Sequence, residues 1–211
     1  MTMVPTFIGF SPGDHGCGRT LTWLIQGAVK GGMDSLILRE PHLSRAAYVE
    51  LARRVSPLFG SGLILHASHP DARELSQRSG WGLHLPATVA WSGVRPEVSG
   101  LLGMSCHSVE DLKRAEKLGA DYATLSPIFG PLANPNDRRE TLGVKGLAAA
   151  CAAVRLPVIA MGGLTCDTAA PLASTGCHGI GSMGHVFPEE ADADLTEERA
   201  HGLISAFSGS R

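Results

Sequence analysis

Apolar residues in this chain come in eight short runs. They are TFIGF (Thr6 to Phe10), SLILRE (Ser35 to Glu40), GLILHAS (Gly62 to Ser68) and WGLHL (Trp81 to Leu85), followed by LLGMSCHS (Leu101 to Ser108), DYATLSPIF (Asp121 to Phe129), PVIAMGG (Pro157 to Gly163) and HGIGSM (His178 to Met183). Their apolar parts run nearly without interruption over roughly 4–7 residues, with no polar alternation. That is the pattern of strands covered on both faces, as in a parallel sheet.

Helix-like segments lie between the runs. In LSRAAYVELARRVSPLF, Ala47, Val49, Leu51 and Val55 fall near helical spacing, behind an N-cap candidate at Ser44. In SVEDLKRAEKLGAD, Ser108 and Asp111 resemble a capping box, Leu112, Ala115 and Leu118 form the apolar stripe, and Gly119 ends the helix. VKGLAAACAAV is helical by its alanines despite Gly146, and TEERAHGLISAF closes the chain. About eight β-then-α units predict a (β/α)8 barrel, one domain over residues 1–211, with a doubly wound open sheet as the alternative.

Composition narrows the function classes. The chain has 211 residues, 44% hydrophobic and 18% charged, with a formal net charge of −2. A globular composition without a basic excess speaks against nucleic acid or an anionic membrane as partner. No stretch reaches the roughly 20 apolar residues of a spanning helix. The opening MTMVPTFIGF lacks a basic n-region and a cleavage-like site, so a cytoplasmic location is expected. The five cysteines, Cys17, Cys106, Cys151, Cys166 and Cys177, form no CxxC and are odd in number, which predicts reduced thiols and no structural zinc.

A barrel carries its site at the carboxyl ends of its strands. Here those ends offer Arg39 with Glu40, His66 to His69, His84, Ser105 to His107, Ser126 to Phe129, Gly162 with Gly163, and Gly181 to Gly184. Glycine loops after the last two strands suit a phosphate that approaches backbone amides, or simply two tight turns. Arg39 and Glu40 read as a substrate clamp with a positioned carboxylate, or as a solvated ion pair. His66, His84 and His107 end three successive strands and could converge on a transition metal, or cap strands and orient loops. Ser126 to Gly143 reads as a lid, with Asn134, Arg138 and Arg139 able to reach an anion, or as a surface loop.

Six segments, SLILREPHLS, GLHLPA, GMSCHSVEDLKRAEKLGADYATLSPIF, LGVKGLAA, LPVIAMGGLT and GCHGIGSM, line up in order with a known family. From about Ser35 to Phe187 the chain resembles thiamine phosphate synthase and its sister, thiazole tautomerase. The resemblance implies a (β/α)8 barrel that holds a thiazole phosphate, or thiamine phosphate, with the phosphate on Gly162, Gly163 and the loop from Gly181 through Ser182 to Gly184. It points to Glu40 and His107 as catalytic candidates. Arg39, Ser105 and Ser126 join the glycines as candidate substrate or phosphate contacts. In the synthase a pyrimidine diphosphate with Mg2+ is joined to the thiazole and diphosphate leaves.

This chain departs from that pattern at several points. Pro41 follows Arg39 and Glu40 where the synthase has lysine. HASHPD stands where the synthase has Asn-Asp, and HLPATV where it has a second metal carboxylate. Both lost carboxylates are hard ligands of the kind Mg2+ prefers, so Mg2+ is expected only where synthase activity survives; no other cofactor or metal is implied. HLP is closer to the tautomerase, but Pro127 of SPIF occupies the place of that enzyme's catalytic histidine, and GHVF occurs instead at Gly184 to Phe187. The expected reading is a divergent synthase-like or tautomerase-like enzyme of thiamine biosynthesis. Its alternative is a non-catalytic homologue that only binds the phosphate. The expected partner is a small phosphate ligand, with a homo-oligomer left open.

Overall fold

The computed structural model describes residues 3–13, 19–88, 93–130, 139–188, 190 and 192–209. Eight parallel strands follow one another around a closed barrel: β1 (Phe7–Phe10), β2 (Ser35–Leu38), β3 (Leu63–His66), β4 (Gly82–Leu85), β5 (Leu102–Cys106), β6 (Tyr122–Leu125), β7 (Val158–Met161) and β8 (Gly179–Ser182). Ile8 pairs with Gly181 across the β1–β8 seam, so the open-sheet alternative does not apply. Closure leaves no strand edge to protect.

Every strand is shorter than the apolar run that announced it. Thus β2 stops at Leu38, and Arg39 and Glu40 lie just past the ladder. The runs are continuous because both strand faces are buried. Ile8, Phe10, Ile37, Ile64, Leu101, Tyr122 and Ile159 pack inside the barrel. Phe7, Leu36, Leu38, Leu63, Leu65, Leu83, Leu125 and Ile180 belong to the larger core shared with the helices.

The helices are α1 (Arg19–Lys30), α2 (Arg45–Phe59), α3 (Ala72–Ser79), α4 (Val109–Leu118), α5 (Gly143–Ala152), α6 (Cys166–Ala169) and α7 (Ala193–Ser208). Ser44 caps α2 by accepting from the Ala47 amide at 3.4 Å. The buried face of α2 is Tyr48, Leu51, Ala52 and Val55, an i, i+3, i+4, i+7 set. Ala47 and Val49, expected in that stripe, fall outside it. At α4, Ser108 Oγ accepts from the Asp111 amide at 3.1 Å. The Asp111 carboxylate in turn accepts from the His107 amide at 3.0 Å, so the box closes one residue early. The described residues between β4 and β5 carry no helix, which breaks the expected count of eight β-then-α units. Among the described residues no helix is long and apolar enough to cross a membrane.

The ring of helices closes where α7 meets α1. A Cβ on Gly27 would lie 2.1 Å from the Ala193 carbonyl oxygen, and one on Gly31 2.4 Å from that of Glu197. Only glycine permits that approach.

Candidate functional site

The carboxyl ends of the strands gather several of the buried polar groups, among them Ser11, Glu40, His66 and His84. After β1, Ser11 is fully buried, and its Oγ accepts from the Arg39 amide at 2.7 Å. The same hydroxyl hydrogen-bonds the Glu40 carboxylate. The Gly13 amide donates to Glu40 Oε1 at 3.2 Å, and His42 Nδ1 lies 3.8 Å from Oε2. Glu40 is only 3% exposed. Burial raises its proton affinity above the usual carboxylate range, against the opposing pull of Ser11, Gly13, His42 and Arg39. Beneath it Tyr48 donates to the Leu38 carbonyl at 2.9 Å and stacks on His69 at 3.8 Å between ring centroids.

The half-buried Arg39 points a guanidinium toward Gly13, whose own Cβ would sit 3.0 Å from Nη1. That crowding, with a φ of +96°, accounts for a glycine at this turn. Next around the rim, His66 ends β3 and is 6% exposed. Its Nδ1 accepts from the Ser68 amide at 3.2 Å and faces Ser68 Oγ at 2.8 Å. An amide can only donate, so the His66 proton sits on Nε2. Burial and then the Arg39 charge pull its pKa down to about 4.

His84, the penultimate residue of β4, has no exposed surface. It hydrogen-bonds Tyr122 Oη through Nδ1 at 3.0 Å and Ser105 Oγ through Nε2 at 2.9 Å. Burial, then neighbouring His66, drives its pKa well below the ordinary value. The two imidazoles stack at 5.7 Å, and Phe10 sets its edge against both. The floor of the mouth is therefore two neutral imidazoles and a phenyl ring.

A second cluster lies on the β5–β6 arc. The exposed His107 donates from Nδ1 to the Ser126 carbonyl at 2.7 Å, which leaves the lone pair on Nε2. Arg139 Nη1 lies 3.0 Å from that nitrogen. Glu40 and His107, the two catalytic candidates, are thus on separate arcs and share no contact. The three strand-end histidines do not converge either, since His84 spends both nitrogens on Tyr122 and Ser105. Among the described residues no group of three or more His, Cys, Asp or Glu is placed to hold a metal ion.

The third arc is glycine. Gly162 and Gly163 have φ values of +95° and +65°. A Cβ on Gly162 would lie 2.9 Å from Pro127 Cα, and one on Gly163 2.2 Å from the Gly130 carbonyl oxygen. The β6 loop docks here, its Ile128 and Phe129 amides donating to the Met161 and Gly162 carbonyls at 2.9 and 3.0 Å. The doubled glycine therefore meets a packing need in the first place. Among the described residues the amides of Gly163 and Gly184 have no protein acceptor, so both can serve an anion. Gly181 faces the barrel interior, where its Cβ would meet Ile159, Ile8 and Met161 at 3.4–3.7 Å. Ser182 alternates with it and shares the side of Ile180 in the outer core, so its side chain is directed away from the mouth.

Asn134 and Arg138 of the expected lid lie outside the described residues. Ser11, Gly13, Phe10 and Tyr122 are site residues that the sequence reading did not single out. Ser11 and Gly13 follow a strand end directly, a signal already on the chain. Tyr122 sits at the start of its strand and reaches the mouth only through the inward register of β6.

A closed parallel barrel with Ser11, Glu40, His66 and His84 buried at its carboxyl-terminal mouth defines a (β/α)8 protein. The chain belongs to the thiamine monophosphate synthase family, whose description it matches over residues 10–186. It is 32% identical over 204 residues to the thiamine-phosphate synthase of Moorella thermoacetica, covering 92% of this chain and 93% of that protein. It is 33% identical over 174 residues to that of Bordetella avium, covering 77% and 79%. The thiamine phosphate pyrophosphorylase structure from Pyrococcus furiosus superposes with a TM-score of 0.77 at 18% identity over 97% of this chain and 96% of that one, a likeness of fold.

Proposed function

We propose that the chain is a divergent enzyme of the thiamine phosphate synthase type that takes a thiazole phosphate into the barrel mouth. The observation that carries this reading is the gathering of buried polar groups, Ser11, Glu40, His66 and His84, at the strand ends of a family barrel. Relatives named as thiamine-phosphate synthases support it. In this reading the amides of Gly163 and Gly184 take the thiazole phosphate, while Gly162 and Gly181 let the loops and strands around that place pack closely. Arg39, Ser105 and Ser126 line the remaining rim. The thiazole nitrogen attacks the methylene of the pyrimidine diphosphate. A C–N bond forms, the C–O bond breaks, and diphosphate leaves with both electrons of that bond. Fixed cations that meet the departing charge supply most of such catalysis, and Arg39 stands in the mouth to do so.

Mg2+ does not fit the described mouth. At the end of β3 stand His66, Ala67 and Ser68, and after β4 stand Pro86, Ala87 and Thr88. Neither set offers a carboxylate, and no step is routed through the ion here.

One observation favours a second reading, a proton-shifting isomerase acting on the same ligand. Glu40 is buried, hydrogen-bonded on its inner side and held above ordinary carboxylate proton affinity, which suits a general base.

Thermal unfolding with thiazole phosphate, thiamine phosphate and inorganic phosphate tests the ligand. At about 100 times the dissociation constant a ligand adds roughly 2.7 kcal/mol, or several degrees at this size. A shift with thiazole phosphate well above that with inorganic phosphate is expected; equal or absent shifts would sink the reading. Binding with no product from the pyrimidine diphosphate would identify a homologue that only binds.

Glu40→Gln separates chemistry from stability. Glutamine retains an oxygen for the Gly13 amide but removes a buried charge. Turnover is expected to fall by about 100-fold or more. A raised carboxylate pKa means that Glu40 costs stability as pH rises above the unfolded value, so the variant should melt higher at neutral pH. That advantage should vanish below about pH 4.5, where the unfolded carboxylate is protonated too. Unchanged turnover would remove Glu40 from the mechanism.

A further inference from the structure

His84 Nε2 lies 2.9 Å from the Ser105 hydroxyl, and the Tyr122 phenol stands on the other ring nitrogen at 3.0 Å. A hydroxyl on one imidazole nitrogen and an orienting group on the other is also the layout of an activated serine, in which the ring takes the serine proton. The direction of the hydrogen bonds separates the two cases. Tyr122 is fully buried inside the barrel. Among the described residues its hydroxyl has one hydrogen-bond partner, His84 Nδ1. A buried O–H without an acceptor is costly, so the phenol donates to Nδ1. Burial keeps the imidazole neutral, so the ring holds a single proton, and Nε2 is the nitrogen left to carry it. The Nε2–H therefore donates to Ser105 Oγ. The reverse arrangement, with Ser105 donating to Nε2, would strand the phenolic hydrogen in the barrel.

The relay is held in place along its length. The phenol rests directly on the β5 backbone, where a Cβ on Gly103 would lie 2.1 Å from Tyr122 Cζ. His84 is packed against the Tyr122, His66 and Phe10 rings at centroid distances of 5.7, 5.7 and 5.5 Å. Ser105, by contrast, is the one residue of β5 that is not buried. Its oxygen accepts from His84, and its own hydrogen has no acceptor among the described residues.

We propose that Tyr122 and His84 are positioning residues that hold Ser105 as a fixed hydrogen-bond donor, so that the β5 rim takes a neutral acceptor atom of the ligand, such as an unprotonated ring nitrogen. Ser105 is then no nucleophile, because the nitrogen beside it already carries a proton. The neutral rings next to it suit a flat heteroaromatic group better than a charged one. The inference rests on the reading of the mouth as a substrate site. It goes further by giving the rim serine a polarity and naming the two residues that set it.

The first measurement needs neither variant nor ligand. Long-range proton–nitrogen correlation spectra of the 15N-labelled full chain at neutral pH separate the two tautomers of each histidine. His84 is expected as the Nε2–H form, and an Nδ1–H form or a doubly protonated ring would overturn the proposal. The second is calorimetric titration with thiamine phosphate. Tyr122→Phe keeps the ring and drops the hydroxyl, which frees the imidazole proton to change sides, and it should weaken binding by about threefold to tenfold. In a Ser105→Ala background the same change should move binding by less than about twofold, because the relay ends at Ser105. Equal losses in the two backgrounds would overturn the relay, since Tyr122 would then act through packing alone. A wrong tautomer in a protein that binds thiamine phosphate would overturn this inference alone. No binding by the wild type, with His84 as Nε2–H, would take down the functional reading and the ligand role of Ser105 together.

Discussion

Gly103→Ala is expected to be among the most destabilising single-methyl additions in this chain. Gly103 lies on β5 under the Tyr122 phenol, and an added Cβ would stand 2.1 Å from Cζ and 2.3 Å from the hydroxyl oxygen. The ring has no room to yield. Tyr122 is fully buried inside the barrel, and its hydroxyl is held by His84. Overpacking costs about 1–3 kcal/mol, and breaking the buried Tyr122–His84 bond adds about 1–3 kcal/mol for each polar group left unpaired. A total near 3–5 kcal/mol corresponds to a fall in Tm of about 6–20 °C for a chain of this size. Pairing the change with Tyr122→Leu removes the obstacle, so the double variant should cost less than the sum of the two. A Gly103→Ala protein melting within about 2 °C of the wild type would show that the phenol is not so confined.

That pair illustrates what the chain disclosed and what it withheld. The barrel was legible because burial on both strand faces leaves a coarse mark, an unbroken apolar run. The site's address was legible because a strand end is simply where such a run stops, as at Arg39, His66 and His84. What the runs do not carry is direction. Ser182 sits beside Gly181 in sequence, yet alternation sends its side chain to the helix layer. His107 ends a strand like His66 and His84, but its neighbours Ser126 and Arg139 hold it on the rim. The helix α1 was overlooked although Leu21, Leu24, Ile25 and Ala28 keep helical spacing and are all buried. The doubled glycine, with a second glycine loop after the next strand, read as a phosphate cup, with a tight turn as the alternative. Only the Gly130 carbonyl, more than thirty residues upstream, shows that packing alone would demand it. Contacts of that separation leave no local trace.

Acidification is expected to unfold this barrel through its paired imidazoles. His66 has a pKa of about 4 in the fold against 6.5 as a free side chain, from burial first and the Arg39 charge second. A depressed folded pKa means that the native state binds fewer protons than the unfolded chain. The stability His66 supplies is therefore complete above the unfolded pKa and lost as pH falls from 6.5 towards about 4. At about 1.36 kcal/mol per pKa unit the loss approaches roughly 3 kcal/mol, a large part of a typical domain's stability. His84 acts in the same direction, because burial and the facing His66 both oppose its charge. Glu40 runs the other way, gaining stability as it is protonated, so it softens the fall without reversing it. Urea unfolding at about pH 7 and about pH 4.5 measures the difference. The wild type should lose roughly 2–3 kcal/mol more over that interval than His66→Gln, which has no proton to take up. Parallel pH profiles for the two proteins would mean that His66 accepts its proton without strain and that the floor of the mouth is wetter than its burial implies.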